Sequence, residues 1–82
     1  MSQITVRIPL TVKKKVGKES ILIDAENVKD VLEKLKREFK EEFNEDLYIF
    51  LLNERIINKR KLGQTKLSTG DTLHIFLPVF GG

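Results

Sequence analysis

The feature that most constrains this fold is a single segment with helical periodicity, set between segments that alternate like β-strands. Asn27 precedes it and can cap the first free amides, with Asp30 three residues further on. A chain with one apolar helix stripe has one helix face to bury, so we expect that helix to pack on one face of one sheet. The stripe consists of Val28, Val31, Leu32, Leu35, Phe39 and Phe43.

Strand patterns occupy the chain on both sides of this helix. Residues 3–12 alternate between apolar and polar positions, residues 19–25 do so again, and a lysine-rich turn at 13–18 separates them. Because a short turn joins them, these two strands should form an antiparallel hairpin. Three further strands are predicted over residues 47–53, 55–58 and 72–79.

The order of elements is strand, strand, helix, strand, short strand, strand. It predicts an α+β roll, with a mixed four- to five-stranded sheet and one main helix packed on one face. An irregular segment at 59–69 should be anchored by Leu62 and Leu67. At 82 residues the chain is long enough for one small core, so we expect a single domain over 1–82 with a flexible tail at 78–82.

Residue types exclude several kinds of chemistry. There is no cysteine and one histidine, so disulfides, thiolate metal sites and a histidine metal cluster are not available. Gly17, Gly63 and Gly70 stand alone rather than in a phosphate-binding loop. We therefore predict no bound metal or cofactor and no self-contained active site, which leaves open whether the chain belongs to an enzyme.

Charge and hydropathy bound the partners and the location. The net charge of +3 is a mild excess, and lysine-rich turns are typical of solvated surface, so we expect no nucleic-acid partner. No apolar run approaches the length of a membrane span, and the first residues lack the pattern of a signal peptide. We expect a cytoplasmic protein with no membrane partner.

The last residues carry the remaining candidate chemistry. Gly81 and Gly82 have no side chains, so this end can thread a narrow channel in a partner, while Pro78 stiffens the approach. The carboxyl group of Gly82 is ionised and a poor electrophile, so it would need activation by another protein, for instance as an acyl-adenylate made with ATP. A sulfur donor or a lysine amine could then attack it. The alternative is an idle, frayed tail.

Aromatic side chains near this tail indicate a docking surface. Alternation places Phe76, together with His74, on the face opposite Leu73 and Ile75. Phe80 has no obvious core to enter. Exposed aromatics that lead to the tail are typical of a partner interface, whereas the alternative is that a loop covers Phe76.

The chain resembles the MoaD/ThiS family of ubiquitin-like sulfur carriers, and is most similar to the small subunit of molybdopterin synthase. The most specific match is residues 67–82, with a leucine, a Gly-Asp turn, an apolar strand, Pro-Val and Gly-Gly. Residues 17–19 resemble the first hairpin turn of the family, residues 28–32 its helix start, and Asn53 its asparagine turn. The fold implied by this resemblance is the β-grasp.

The resemblance implies a role for each part of the tail. Gly82 would be adenylated by a ubiquitin-activating-type enzyme, which uses ATP, and converted to a thiocarboxylate. The tail of Pro78, Val79, Phe80 and Gly81 would then enter the molybdopterin synthase large subunit, on which Phe76 would pack. The free chain would be a monomer.

Other uses of the same tail remain open. The chain could be a ubiquitin-like modifier joined to lysines, a sulfur carrier for thiamine or tRNA thiolation, or a binding module with an incidental tail. The chain departs from the family pattern at three positions and in one segment. Leu77 replaces a proline, Phe80 replaces a small residue, and Glu54 replaces a glycine, while residues 9–16 do not match the usual pattern of the first strand.

Overall fold

The computed structural model describes residues 2–8, 17–39 and 45–78. The predicted order of elements is confirmed. The elements are strand β1 (Ser2–Arg7), strand β2 (Ser20–Ala25), helix α1 (Val28–Phe39), a 3-10 helix (Glu45–Leu47), strands β3 (Ile49–Leu52) and β4 (Arg55–Ile56), a second 3-10 helix (Lys59–Gln64), and strand β5 (Thr72–Phe76). Predictions for residues 9–16, for Phe43 and for the tail from Val79 onward lie outside the described residues.

The strands form one five-stranded mixed sheet in the order β2-β1-β5-β3-β4. β1 and β2 form the predicted antiparallel hairpin, in a register that pairs Ile4 with Ile23. β1 and β5 run parallel, with Val6 beside Leu73, whereas β5 and β3 run antiparallel. The first and last strands of the fold are therefore neighbours, with β5 between β1 and β3.

Helix α1 packs on one face of this sheet, as its single apolar stripe predicts. Val28, Val31, Leu32 and Leu35 are fully buried against the sheet. Leu62 and Leu67, on the irregular segment, are buried in the same core and confirm their predicted anchoring role. The sheet contributes Ile4, Val6, Ile8, Ile23, Ala25, Phe50, Leu73 and Ile75.

The start of α1 is fixed by hydrogen bonds within residues 26–30 and by one from the helix start to Thr65. The side-chain oxygen of Asn27 accepts from the Asp30 amide at 2.8 Å, which confirms the predicted cap. The Asp30 carboxylate accepts from the amide of Glu26 at 3.2 Å, one residue before the cap. The Val28 amide donates to the carbonyl of Thr65 at 3.2 Å, so the helix start is also tied to the segment that precedes β5.

Several predicted strand boundaries were wrong. β1 ends at Arg7 rather than at 12, and β4 ends at Ile56 rather than at 58. Two further errors are related to each other. β5 ends at Phe76 rather than at 79, and β3 begins at Ile49 rather than at 47. The two errors have one cause, because Phe76 pairs with Ile49 and the preceding Leu47 lies in a 3-10 helix with 55% of its surface exposed. Leu77 therefore has no strand residue opposite it on β3, and the ladder stops.

Candidate docking face

The sheet face opposite α1 carries the side chains predicted for a partner interface. Directly paired residues of neighbouring strands share a face. Arg7 pairs with His74, His74 pairs with Leu51, and Phe76 pairs with Ile49. We call these five residues the open face. Leu51 and Ile49 stay half-buried, so the face is more apolar than a purely solvated one.

Phe76 and His74 lie side by side along β5, two residues apart. Their ring centroids are 5.3 Å apart and the planes are inclined by 50°. Both rings are half-buried, so each keeps one side accessible to a partner. The predicted outward placement of Phe76 agrees with the register of the strand.

His74 lies in an environment that disfavours its charged form. Partial burial lowers the pKa of His74 below its usual 6.5, and the positive charge of Arg7 lowers it further. At neutral pH the imidazole is therefore uncharged. His74 and Phe76 then form an amphipathic surface beside the positive charge of Arg7. Arg7 is itself exposed and makes no ion pair with any residue that the structure describes.

A shallow cavity of about 450 Å³ opens beside this aromatic pair. Arg7, His74 and Glu54 line it. The cavity combines a cation, an anion and the apolar side chain of Leu51, which suits a protein surface better than a small apolar ligand. Its lining is completed by Leu51, Asn53 and Thr72.

The turn between β3 and β4 is held in an unusual conformation. Asn53 and Glu54 both have positive φ, at 49° and 71°. Asparagine tolerates this region, but glutamate rarely adopts it, because its Cβ crowds the following carbonyl. This geometry accounts for the glycine that the family pattern places at the position of Glu54. The sequence located the turn, but not its left-handed backbone.

A side-chain clamp that sequence reasoning missed joins this turn to β5. Asn53 Nδ2 donates to Asp71 Oδ1 at 3.0 Å, and the Thr72 amide donates to Asn53 Oδ1 at 3.0 Å. The second Asp71 oxygen accepts from the Ser68 amide at 2.8 Å. The Gly-Asp sequence indicated a turn, and Gly70 there has a φ of 93°. Nothing in the Gly-Asp sequence linked Asp71 to Asn53, which lies 18 positions earlier.

The predicted tail begins at Pro78, two residues after the end of β5. Leu77 is 40% exposed and Pro78 is half-buried. Val79, Phe80, Gly81 and Gly82 lie outside the described residues, so their predicted role is carried by sequence alone. In the described part of the chain, no group of three potential metal ligands occurs and no helix is long and apolar enough to cross a membrane.

The fold and the open face together define a ubiquitin-like β-grasp protein: a mixed sheet clasping one helix, with a free sheet face beside a C-terminal strand. The chain belongs to the ThiS family, whose model matches residues 6–82. No curated protein sequence matches closely enough to count as a relative.

Solved structures of similar proteins share this fold over almost the whole chain. Small archaeal modifier protein 1 of Methanosarcina acetivorans has a TM-score of 0.75 at 23% identity, with 100% of this chain and 98% of the other covered. Subunits 1 and 2 of the molybdopterin-converting factor of Helicobacter pylori form a complex whose matching chain has a TM-score of 0.70 at 27% identity, with 98% and 99% covered. The HVO 2177 protein of Haloferax volcanii has a TM-score of 0.77 at 29% identity, with 99% and 87% covered.

Proposed function

We propose that this chain is a sulfur carrier whose Gly82 carboxyl group is adenylated and then converted to a thiocarboxylate. The observation that carries the proposal is the family match, which runs through Gly81 and Gly82 rather than stopping at the folded core. The described part of the chain offers no competing metal cluster. The open face supplies what a carrier needs besides its tail, which is a surface for the proteins that load and unload it.

The chemistry requires a second protein and ATP. The Gly82 carboxylate attacks the α-phosphate of ATP on a ubiquitin-activating-type enzyme, pyrophosphate leaves, and an acyl-adenylate forms. A sulfur donor at the oxidation level of hydrosulfide then attacks the acyl carbon. The bond from carbon to the AMP oxygen breaks, AMP leaves with the electron pair, and the thiocarboxylate remains. This chain binds no cofactor during these two steps, since ATP is held by the activating enzyme.

The tail and the open face have separate tasks in this scheme. Phe76 and His74 dock the carrier, and the residues from Pro78 to Gly81 bring the thiocarboxylate to the reacting centre. Because Pro78 has a fixed φ and the glycines have no side chains, the tail is stiff at its base and slim at its tip. Phe80 makes the tail bulkier just before the glycines and would restrict which channels admit it.

The acceptor we favour is the large subunit of molybdopterin synthase, which would use the sulfur to make molybdopterin in the cytoplasm. The support is the Helicobacter pylori complex, in which a chain 27% identical to this one is assembled with subunit 2 of the molybdopterin-converting factor. Thiamine synthesis and tRNA thiolation are the alternative destinations for the same thiocarboxylate.

A second candidate function is protein modification. One similar structure is that of a protein named as a small archaeal modifier. A lysine amine would attack the same acyl-adenylate, AMP would leave, and an isopeptide bond would form. Glycine-glycine remnants on lysines after proteolysis of a cell extract would favour this use, and their loss on deletion of Gly82 would assign them to this chain.

Intact-mass analysis tests the carrier proposal directly. The full chain is incubated with the activating enzyme of the same cell, ATP and a sulfide donor. We expect the mass to rise by the exchange of one oxygen for one sulfur, and the change to require ATP. A chain that lacks Gly81 and Gly82 is the control and should keep its mass. No change with any activating enzyme of that cell would contradict the proposal.

A further inference from the structure

Paired residues form one row across all five strands, and this row extends the open face to both edges of the sheet. In order from β2 to β4, the row is Ser20, Arg7, His74, Leu51 and Ile56. Because directly paired residues share a face, all five side chains lie on the side opposite α1. The row therefore has a direction, from a charged side chain on β1 to an apolar one on β4.

Ile56 is the apolar end of this row, and 77% of its surface is exposed. It pairs with Leu51 on β3, while Ile49, two residues before Leu51 on the same strand, pairs with Phe76. The apolar area is thus continuous from Phe76 to Ile56. A single exposed isoleucine is ordinary, but a continuous apolar area on a sheet face is typical of an interaction site.

Arg7 is the charged end of the row, and its charge is not compensated in the described part of the chain. Glu54 lines the same cavity, but no ion pair joins it to Arg7. Of the five residues of the open face, Arg7 alone is charged at neutral pH, since the imidazole of His74 is uncharged. A docked partner covers Arg7, and burying a cation without an opposite charge is costly. One carboxylate from the partner removes that cost.

We propose that the partner of the open face is a protein surface that presents a carboxylate side chain to Arg7 and an apolar contact to Ile56. The inference rests on the proposed function, in which this face binds the activating enzyme. Arg7 and Ile56 are three strand spacings apart, so roughly 14 Å separates the two contacts. A guanidinium donates two parallel hydrogen bonds to one carboxylate, which fixes direction as well as position.

The two contacts together orient the carrier on its partner. An apolar area alone allows several docked orientations, whereas a charge at one end of the row allows only those that bring the carboxylate to β1. A protein surface that lacks this carboxylate is rejected, because Arg7 would be buried unpaired. Arg7 is thus a specificity residue for the loading step, and it lies on a different strand from the tail.

Two substitutions of Arg7 with unbranched stems separate its charge from its packing. Calorimetry measures the binding of the full chain to the activating enzyme of the same cell. We expect Arg7→Met to weaken binding about thirtyfold, since the carboxylate is left unpaired, and Arg7→Lys to weaken it only about threefold. Lys66→Met removes an exposed cation outside the strands and should change the affinity less than about twofold. Arg7→Met that binds as tightly as the wild type overturns the proposal.

Arg7→Lys also identifies the carboxylate by cross-linking within the complex. A carbodiimide activates the carboxylate, the lysine amine attacks the acyl carbon, an amide bond forms, and the carbodiimide leaves as its urea. Peptide mapping by mass spectrometry should find an amide between position 7 and an aspartate or glutamate of the activating enzyme. The wild type is the control, because its guanidinium stays protonated. An amide to Glu54 of the same chain, or none at position 7, overturns the proposal.

Ile56→Ala tests the apolar end of the row. We expect binding to the activating enzyme to weaken about tenfold, while the Tm stays close to that of the wild type because the side chain is exposed. Leu22→Ala is the control, since Leu22 is 64% exposed on β2, the opposite edge of the sheet. Equal losses of affinity for the two variants would contradict a contact at Ile56.

The exchange of oxygen for sulfur keeps this inference separate from the proposed function. At activating-enzyme concentrations that saturate each variant, Arg7→Met should still gain the mass of the thiocarboxylate, because Arg7 serves docking and not the reaction at Gly82. A wild type that gains sulfur but binds no more tightly than Arg7→Met contradicts the carboxylate contact alone. A wild type that gains no sulfur with any activating enzyme contradicts the proposed function and, with it, this inference.

Discussion

Asn53 and Asp71 clamp the β3–β4 turn to the start of β5 through a side-chain hydrogen bond of 3.0 Å. Asn53 uses its other side-chain atom to accept from the Thr72 amide at 3.0 Å, and its own amide donates to the Thr72 carbonyl at 2.9 Å. Three hydrogen bonds thus fix one turn against the strand that carries His74 and Phe76. The clamp therefore positions the turn that lines the cavity beside the open face.

Replacing Asp71 tests the clamp. Asp71→Ala removes the acceptors of both Asn53 and Ser68, and we expect the free energy of unfolding to fall by about 1–3 kcal/mol because charged acceptors are lost. Urea unfolding followed by circular dichroism measures the change. Glu38→Ala is the control, since Glu38 is an exposed carboxylate on α1, and it should change the stability by no more than about 0.5 kcal/mol. Equal effects of the two substitutions would show that the clamp contributes nothing.

The backbone of Glu54 predicts a substitution that stabilises the protein. At a φ of 71° a glutamate is strained, whereas glycine is not. We expect Glu54→Gly to raise the free energy of unfolding by about 1 kcal/mol, because the left-handed region costs other residues about 1–2 kcal/mol. Thermal unfolding measures it as a higher Tm. Arg55→Gly, at the neighbouring strand position, should lower the Tm, and a drop for both variants would contradict the assigned strain.

The parts of the fold that the sequence predicted are those set by local periodicity. The stripe from Val28 to Leu35 specified a helix with one buried face, and that face is buried as expected. Alternation located β1 and β2, because the side chains of a half-buried strand repeat every two residues. The boundaries were less accurate, since the end of β5 depends on where β3 begins. That is decided by Leu47 entering a 3-10 helix.

The candidate docking face was likewise predictable from the sequence only in part. The outward face of Phe76 and His74 follows from alternation along a single strand, so it was predictable. The cavity beside them was not, because Arg7, Glu54 and His74 are brought together by three separate strand pairings. The clamp between Asn53 and Asp71 was missed for the same reason. Sequence periodicity specifies which face a residue occupies, but long-range pairing specifies its neighbours.

Phe76→Ala should separate docking from folding. The ring is half-buried on the open face, so we expect its truncation to cost about 1 kcal/mol of stability, well below the cost of emptying a core site. Binding to the activating enzyme, measured by calorimetry, should weaken at least about tenfold, because we propose that the ring is an aromatic anchor of the docking surface. Leu35→Asp is the contrasting variant and should unfold the domain, since Leu35 is fully buried. A loss of several kcal/mol for Phe76→Ala would mean that the ring belongs to the core.

The lowered pKa of His74 predicts how stability depends on pH. Burial and Arg7 both disfavour the imidazolium in the folded chain, so the unfolded chain binds a proton more readily. The contribution of neutral His74 is complete above the unfolded value of 6.5 and is lost as the pH falls from there to the lower folded pKa. We therefore expect the wild type to lose stability across that interval relative to His74→Gln, which has no charge to gain.

Arg7→Gln identifies how much of the lowering of the His74 pKa is caused by the charge of Arg7. Removing the guanidinium should raise the pKa of His74 but leave it below 6.5, because burial is the larger cause. Titration of the imidazole signals by NMR gives both values directly. Lys66→Gln removes a cation remote from His74 and should leave its pKa unchanged. A His74 pKa at or above 6.5 in the wild type would contradict the assigned environment and, with it, the uncharged imidazole beside Phe76 on the open face.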